Sequence, residues 1–120
     1  MYRMKLTTTS DIPGEDVFAI LGVVHSTAVL SADAAWDLVA SIKNFVGGKV
    51  SKYEKVFEEA RDRALEQMIA KAQKLGANAI IGVNIDIKFN PMGKGALLAA
   101  SASGTAVLSR KSDPAVPLPL

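Results

Sequence analysis

The sequence predicts an α+β domain: a small antiparallel sheet of split βαβ topology packed under one long helix, with a second, shorter helix beside it. Three observations predict this. Between Ser51 and Leu75, apolar residues recur at helical spacing, as Tyr53, Phe57, Ala60, Ala64, Met68, Ala72 and Leu75. From Ile80 to Phe89 the period changes to two, with Ile81, Val83, Ile85, Ile87 and Phe89 on one face and Gly82, Asn84, Asp86 and Lys88 on the other. The order of elements is strand, helix, strand hairpin. This lets the last strand slot between the first long strand and the Ile80 strand through a right-handed crossover.

The elements follow in order. A short strand over about Arg3 to Thr7 is separated from the rest by the turn-rich run Thr7-Thr8-Thr9-Ser10-Asp11-Ile12-Pro13-Gly14. Val17 to Leu30 reads as a long strand, β-branched through Val23-Val24. Ser31 can cap a helix beginning near Ala32, with Asp33 favourable in its first turn. That helix extends to about Val46, and Ala35, Trp36, Leu38, Val39, Ile42, Phe45 and Val46 cover about half its circumference. One sheet cannot cover so wide a surface, so Trp36, Val39, Ile42 and Phe45 are expected at an interface with a neighbouring subunit.

Gly47-Gly48-Lys49 breaks that helix, and Ser51-Lys52-Tyr53-Glu54 has the form of a capping box. The long helix it opens keeps Glu58, Asp62, Arg63, Glu66, Gln73 and Lys74 on its wet side and stops at Gly76, which fits a left-handed terminal residue. Ile80 to Phe89 and Ala96 to Leu108 are strands joined by a loop over Asn90 to Gly95. Ala100, Ala102, Gly104 and Ala106 line one face of the last strand and Ser101, Ser103, Thr105 and Val107 the other. Such small residues suggest close approach of the long helix. Residues 1–110 form a single domain in this reading, and the proline-rich tail 111–120 is extended or disordered.

Composition narrows the function. The 120 residues have room for one domain, and 49% hydrophobic with 22% charged residues is a globular balance. No apolar run approaches the roughly 20 residues of a membrane helix, and the first residues lack the apolar core of a secretory signal. A soluble cytoplasmic protein is expected. Net charge is +2, and Glu54, Glu58 and Glu59 offset the cluster Lys49, Lys52 and Lys55, so nucleic acid is not an expected partner. With no cysteine, disulfides, thiolate zinc sites, iron–sulfur clusters and cysteine nucleophiles are excluded. One histidine, His25, and no nucleophile elbow leave few catalytic constellations, so no enzyme is expected. A metal would meet mostly oxygen ligands, which suit hard cations.

The best candidate site is the polar strand face, where Asn84, Asp86 and Lys88 put an amide, a carboxylate and an ammonium in one row, with Ser101 and Ser103 beside them. The competing account is an ordinary solvated face on which Asp86 pairs with Lys88, worth at most about 1 kcal/mol. His25 is a weaker metal candidate, since a lone histidine at such a place is more often a surface or interface residue than a ligand. Gly47-Gly48-Lys49 and Gly93-Lys94-Gly95 lack the spacing of a phosphate-binding loop. No cofactor is indicated.

Several motifs occur in a recognisable order: Thr7-Thr8-Thr9, Gly22-Val23-Val24, Val46-Gly47-Gly48-Lys49, Tyr53-Glu54-Lys55, Leu75-Gly76-Ala77-Asn78-Ala79-Ile80-Ile81-Gly82-Val83, Ile85-Asp86 and Ser103-Gly104-Thr105-Ala106-Val107. From about Lys5 to Arg110 the chain resembles the YbjQ-like family. The resemblance implies a dodecin-like subunit assembling into a ring, typically a pentamer, and the label of a heavy-metal-binding domain. Leu21 stands where some relatives carry cysteine. Two functions remain open: a ring that holds a small ligand or cation between subunits, and a scaffold oligomer without small-molecule chemistry.

Overall fold

The computed structural model describes the backbone of residues 4–30, 49–92 and 95–112. The elements are β1 (Lys5–Leu6), β2 (Glu15–Leu30), α1 (Lys49–Lys74), β3 (Ala79–Met92) and β4 (Gly95–Lys111). The sheet order is β1-β3-β4-β2, so the last strand does lie between the long first strand and β3. Its direction follows from paired side chains: Glu15 meets Ser109 while Thr27 meets Ser101, so β4 runs antiparallel to β2. The sheet is nevertheless mixed, because β1 pairs parallel with β3, Lys5 opposite Ala79 and Leu6 opposite Ile80. No hairpin joins these two strands, so no tight turn imposes the antiparallel direction expected for the whole sheet.

The expected helix over 32–46, with Trp36, Val39, Ile42 and Phe45, and the tail 113–120 lie outside the described residues. Ser51 lies within the helix α1, Lys49–Lys74, and is therefore not the N-cap of a capping box. Contacts divide the chain into two compact units, residues 1–25 with 68–84 and 103–120, and residues 26–67 with 85–102.

In the first unit, Val24, Met68, Ala72, Ala79, Ile80, Val83, Ala106 and Val107 are buried. The helix ends as its glycine requires. Gly76 has φ +85°, its N–H donates to the Gln73 carbonyl, and the Ala77 N–H donates to the Ala72 carbonyl. These two bonds form a Schellman motif, which satisfies carbonyls that the helix leaves open. Leu75, expected in the core, is 47% exposed, because the chain turns away from the helix axis at that point.

A β-bulge interrupts β3. Thr7 donates its N–H to the Ile80 carbonyl and accepts from the Val83 N–H, a separation of three residues where a regular parallel ladder has two. The surplus residue is accommodated at Gly82, which has φ +61° and donates to the Thr9 carbonyl. Ile80 and Val83 therefore share a face. A Cβ built on Gly104 would lie 2.5 Å from Ile80 Cγ2 and 3.4 Å from Val83 Cγ2. Part of the small-residue pattern of β4 thus answers neighbouring β3 side chains, where the sequence had suggested the helix.

In the second unit, Ala28, Leu30, Val56, Ala60, Ala64, Leu98, Ala100 and Ala102 form the core. The Ser26 hydroxyl, buried, donates to the Ala64 carbonyl, so the helix backbone lies within one short side chain of β2. Alanine at positions 60 and 64 permits that approach. Phe57 and Phe89 meet with ring centroids 6.1 Å apart, which places Phe89 on the helix side of β3. Glu58, Asp62, Arg63 and Glu66 are exposed, as the spacing predicts. The pair Arg63–Glu59 at 2.9 Å adds no more than about 0.5 kcal/mol.

Candidate functional site

The bulge decides which way the candidate residues point. Counting by twos from Ile81 assigns Ile81, Val83, Ile85, Ile87 and Phe89 to one apolar face, but the extra residue at Gly82 puts Ile81 on the opposite one. Ile81 accordingly lines an open cleft of about 560 Å³ together with Ile12, Val17 and Ile20. Of the five, only Val83 is buried; Ile85 and Ile87 are each 37% exposed and Phe89 is 48% exposed. The expected core face is therefore a core only as far as Val83.

Downstream of the bulge the alternation is regular, so Asn84, Asp86 and Lys88 follow one another on the face away from the helix, and all three are exposed. Among the described residues none of them makes a side-chain hydrogen bond or an ion pair, the Asp86–Lys88 pair included. Ser101 is half-buried and shares a hydrogen bond of 3.2 Å with the Thr27 hydroxyl. Ser103 is half-buried. His25 is exposed, and it is its carbonyl that is engaged, by Lys71 Nζ at 2.7 Å. No three histidine, aspartate or glutamate side chains come together in a metal-holding group among the described residues. The described residues of one chain therefore present isolated polar groups rather than a chelate.

A polar network that the sequence reading missed lies in the first unit. The Glu15 carboxylate accepts from the Lys5 ammonium on one oxygen and from the Ser109 hydroxyl, at 2.7 Å, on the other. The hydrogen bond from Lys5 and then that from Ser109 hold its carboxyl below the usual glutamate range, against a smaller opposing effect of desolvation. Asn78 completes the cluster: its side-chain amide donates to the Ser109 carbonyl at 2.8 Å and its oxygen accepts from the Ser109 N–H at 2.9 Å. Asn78 thus continues the ladder at the edge of β3 with a side chain. The only sequence signal was an asparagine just past a helix stop, which reads equally as a turn residue. The Glu15 carboxylate, the Ser109 hydroxyl and the Asn78 amide are engaged with one another or with Lys5, so this network fastens strands.

Comparison with known proteins agrees with the fold and the motifs. A family model described as "Putative heavy-metal-binding", the YbjQ model, matches residues 4–110. Two proteins named "UPF0145 protein", from two strains of Caulobacter vibrioides, are each 41% identical over 106 residues, covering 88% of this chain and 99% of theirs. A crystal structure of a protein of unknown function from Pediococcus pentosaceus, assigned to the DUF74 family, superposes with a TM-score of 0.60 at 21% identity, covering 88% of this chain and 96% of that one. At that identity the likeness concerns the fold. With nearly the whole chain matched, from Met4 through Arg110, the protein belongs to the YbjQ-like family.

Proposed function

We propose that the chain is the subunit of a homo-oligomeric ring, dodecin-like in its assembly and most simply a pentamer, that binds a small ligand or hard cation between subunits. The observation that carries this reading is Asp86: a carboxylate in mid-strand, exposed and without a partner among the described residues. Neither capping nor turn formation explains an acid there. One carboxylate is a poor cation site, but cyclic symmetry would repeat Asp86, Asn84 and Lys88 once per subunit. Oxygen ligands from several chains suit a hard ion, and the absence of cysteine argues against a soft one. The family description supports a cation in general terms. The reading includes no catalytic role, because the chain has one histidine and no thiol.

Native mass spectrometry of untreated protein, with elemental analysis of the same sample, tests both halves of the reading. A ring with a retained ion or small molecule is expected, and Asp86→Asn should lose the bound species while the ring persists. A monomer at micromolar concentration would overturn the assembly. A second reading, a scaffold oligomer, rests on the lack of any metal-holding group among the described residues. An assembled ring that carries nothing, with or without the Asp86 carboxylate, would establish it.

A further inference from the structure

The cleft of about 560 Å³ on the first unit has an apolar lining and a point of chain attachment at its rim. Ile12, Pro13, Val17, Ile20 and Ile81 supply the lining, with Val17 37% and Ile20 73% exposed. Exposed apolar side chains gathered in one cleft mark a contact surface. Asp16 lines it too, and its carboxylate accepts from the Ser112 hydroxyl at 2.9 Å. The Ser112 N–H donates to the Gly14 carbonyl, also at 2.9 Å. These two bonds fix Ser112, the last described residue, beside the cleft. Whatever follows Ser112 starts there.

The sequence that follows has the chemistry to occupy it. After Asp113 come Pro114-Ala115-Val116-Pro117-Leu118-Pro119-Leu120, without one charged or hydrogen-bonding side chain. Asp11 and Asp16 line the cleft as well, and an uncharged segment meets no repulsion from them. The prolines fix their own φ and hold Val116 and Leu118 extended, which favours the polyproline conformation with three residues per turn. At that period Pro114, Pro117 and Leu120 share one edge, Ala115 and Leu118 a second, Val116 and Pro119 the third. Every edge is apolar, so whichever one meets the cleft sets carbon against carbon. Proline also lacks an N–H, so the segment has few donors to satisfy against an apolar lining. Length and direction fit. β4 runs toward the start of β2, so the chain must turn back after Ser112 to follow the cleft, and Asp113-Pro114 is a turn-initiating pair. Ala115 to Leu120 then spans roughly 19 Å in polyproline form, against roughly 13 Å from Asp16 to Ile20 along β2.

We propose that residues 113–120 fold back from Ser112 and lie along this cleft in extended form, their apolar side chains against Ile12, Val17, Ile20 and Ile81. The occupant is this segment rather than a separate molecule because Ser112 tethers it at the rim. A short tether gives an effective concentration in the millimolar range, so a contact too weak to hold a free peptide suffices within one chain. The same contact bars the cleft to a free apolar ligand, so the chain carries its own competitor for this surface. The cleft residues all belong to one unit of one chain, and the proposal does not depend on the ring reading.

NMR of the whole 120-residue chain, with isoleucine, leucine and valine methyls labelled, tests it. Nuclear Overhauser contacts are expected between Val116, Leu118 or Leu120 and Val17, Ile20 or Ile81. Amides of the segment should be as ordered as those of the sheet, with order parameters of about 0.85. Leu118→Asp, a change within the segment itself, should abolish these contacts and bring its order parameters below about 0.6. Ile20→Asp should do the same from the other side of the contact, since a side chain 73% exposed can be replaced without unfolding, which circular dichroism checks. An anilinonaphthalene sulfonate dye should bind Leu118→Asp several-fold more strongly than the wild type, because its cleft is uncovered. Equal dye binding overturns the proposal. So does a wild-type segment that already has order parameters below about 0.6 or whose methyls contact another surface. Contacts seen only between differently labelled chains in a mixed sample would make a second copy's segment the occupant, and contacts to a co-purified non-protein molecule would make that the occupant; either overturns it.

Discussion

The two halves of β3 have nearly the same hydrophobic pattern and opposite fates. Ala79, Ile80 and Val83 are 0%, 0% and 8% exposed, and Thr7 and Thr9 cover their edge. Every residue from Asn84 to Asn90 is exposed, although isoleucine or phenylalanine recurs at every second position there. Burial in the first half comes from what lies opposite: Gly104 leaves the space that Ile80 and Val83 occupy. An alternating pattern states which residues share a face. It does not state whether anything within the same chain covers that face.

The largest effect expected from this contrast is at Ile80. Ile80→Ala should cost about 2–5 kcal/mol in urea unfolding, as deletion from a closed core does. Ile87→Ala should cost clearly less than Ile80→Ala, since Ile87 is 37% exposed and Ile80 fully buried. Equal costs would mean that the two halves are buried alike. Gly104→Ala should destabilise by about 1–3 kcal/mol through overpacking against Ile80 and the Ile81 carbonyl, which a Cβ would approach to 3.2 Å. The double variant Gly104→Ala with Ile80→Ala should cost less than the sum of the two single changes, because Ile80→Ala removes the Cγ2 atom that the new Cβ would meet; a purely additive result would show that the two side chains do not compete for the same space. Gly82→Val and Gly76→Val should each cost about 1–2 kcal/mol, because β-branched residues tolerate positive φ poorly. An unchanged urea midpoint at either would remove the corresponding bulge or helix stop.

The smallest effect concerns acid. Glu15 has its carboxyl held low by Lys5 and Ser109, so its folded-state pKa lies below its unfolded value. Its contribution is then fully present above the unfolded pKa, near the ordinary glutamate value, and is lost as pH falls through the folded one. The difference in urea midpoint between wild type and Glu15→Gln should therefore shrink as pH drops below the usual glutamate range. A difference that is constant across that window would show that Glu15 acts through packing alone.

Much of the fold was legible because its signals are local. The helix period over 53–75, the stop at Gly76 and the placement of β4 in the sheet depend on spacing and connection rules that a single chain displays. The bulge was not legible: a glycine between Ile81 and Val83 reads as one more small residue of a regular strand. The parallel pairing of β1 depends on a contact between segments more than seventy residues apart. As for the candidate site, the exposure of Asn84, Asp86 and Lys88 followed from their alternation with Ile85 and Ile87, even though the count began on the wrong side of the bulge. The Glu15–Ser109–Asn78 network was invisible because its members come from three separate stretches of chain.

The surplus residue at Gly82 also bears on how this gene can vary. Deleting that one codon would bring Ile80 and Val83 to the two-residue spacing of a regular strand, so every downstream side chain would keep its face. Asp86 and Lys88 would still point away from the helix, and Ile85, Ile87 and Phe89 toward it. Loss of a residue from the regular stretch after Val83 has no such slack and would exchange the two faces for the rest of β3. A one-residue gap is therefore harmless at Gly82 and costly a few positions later, and a homologous strand without the bulge would match this one face for face only when the gap is placed there.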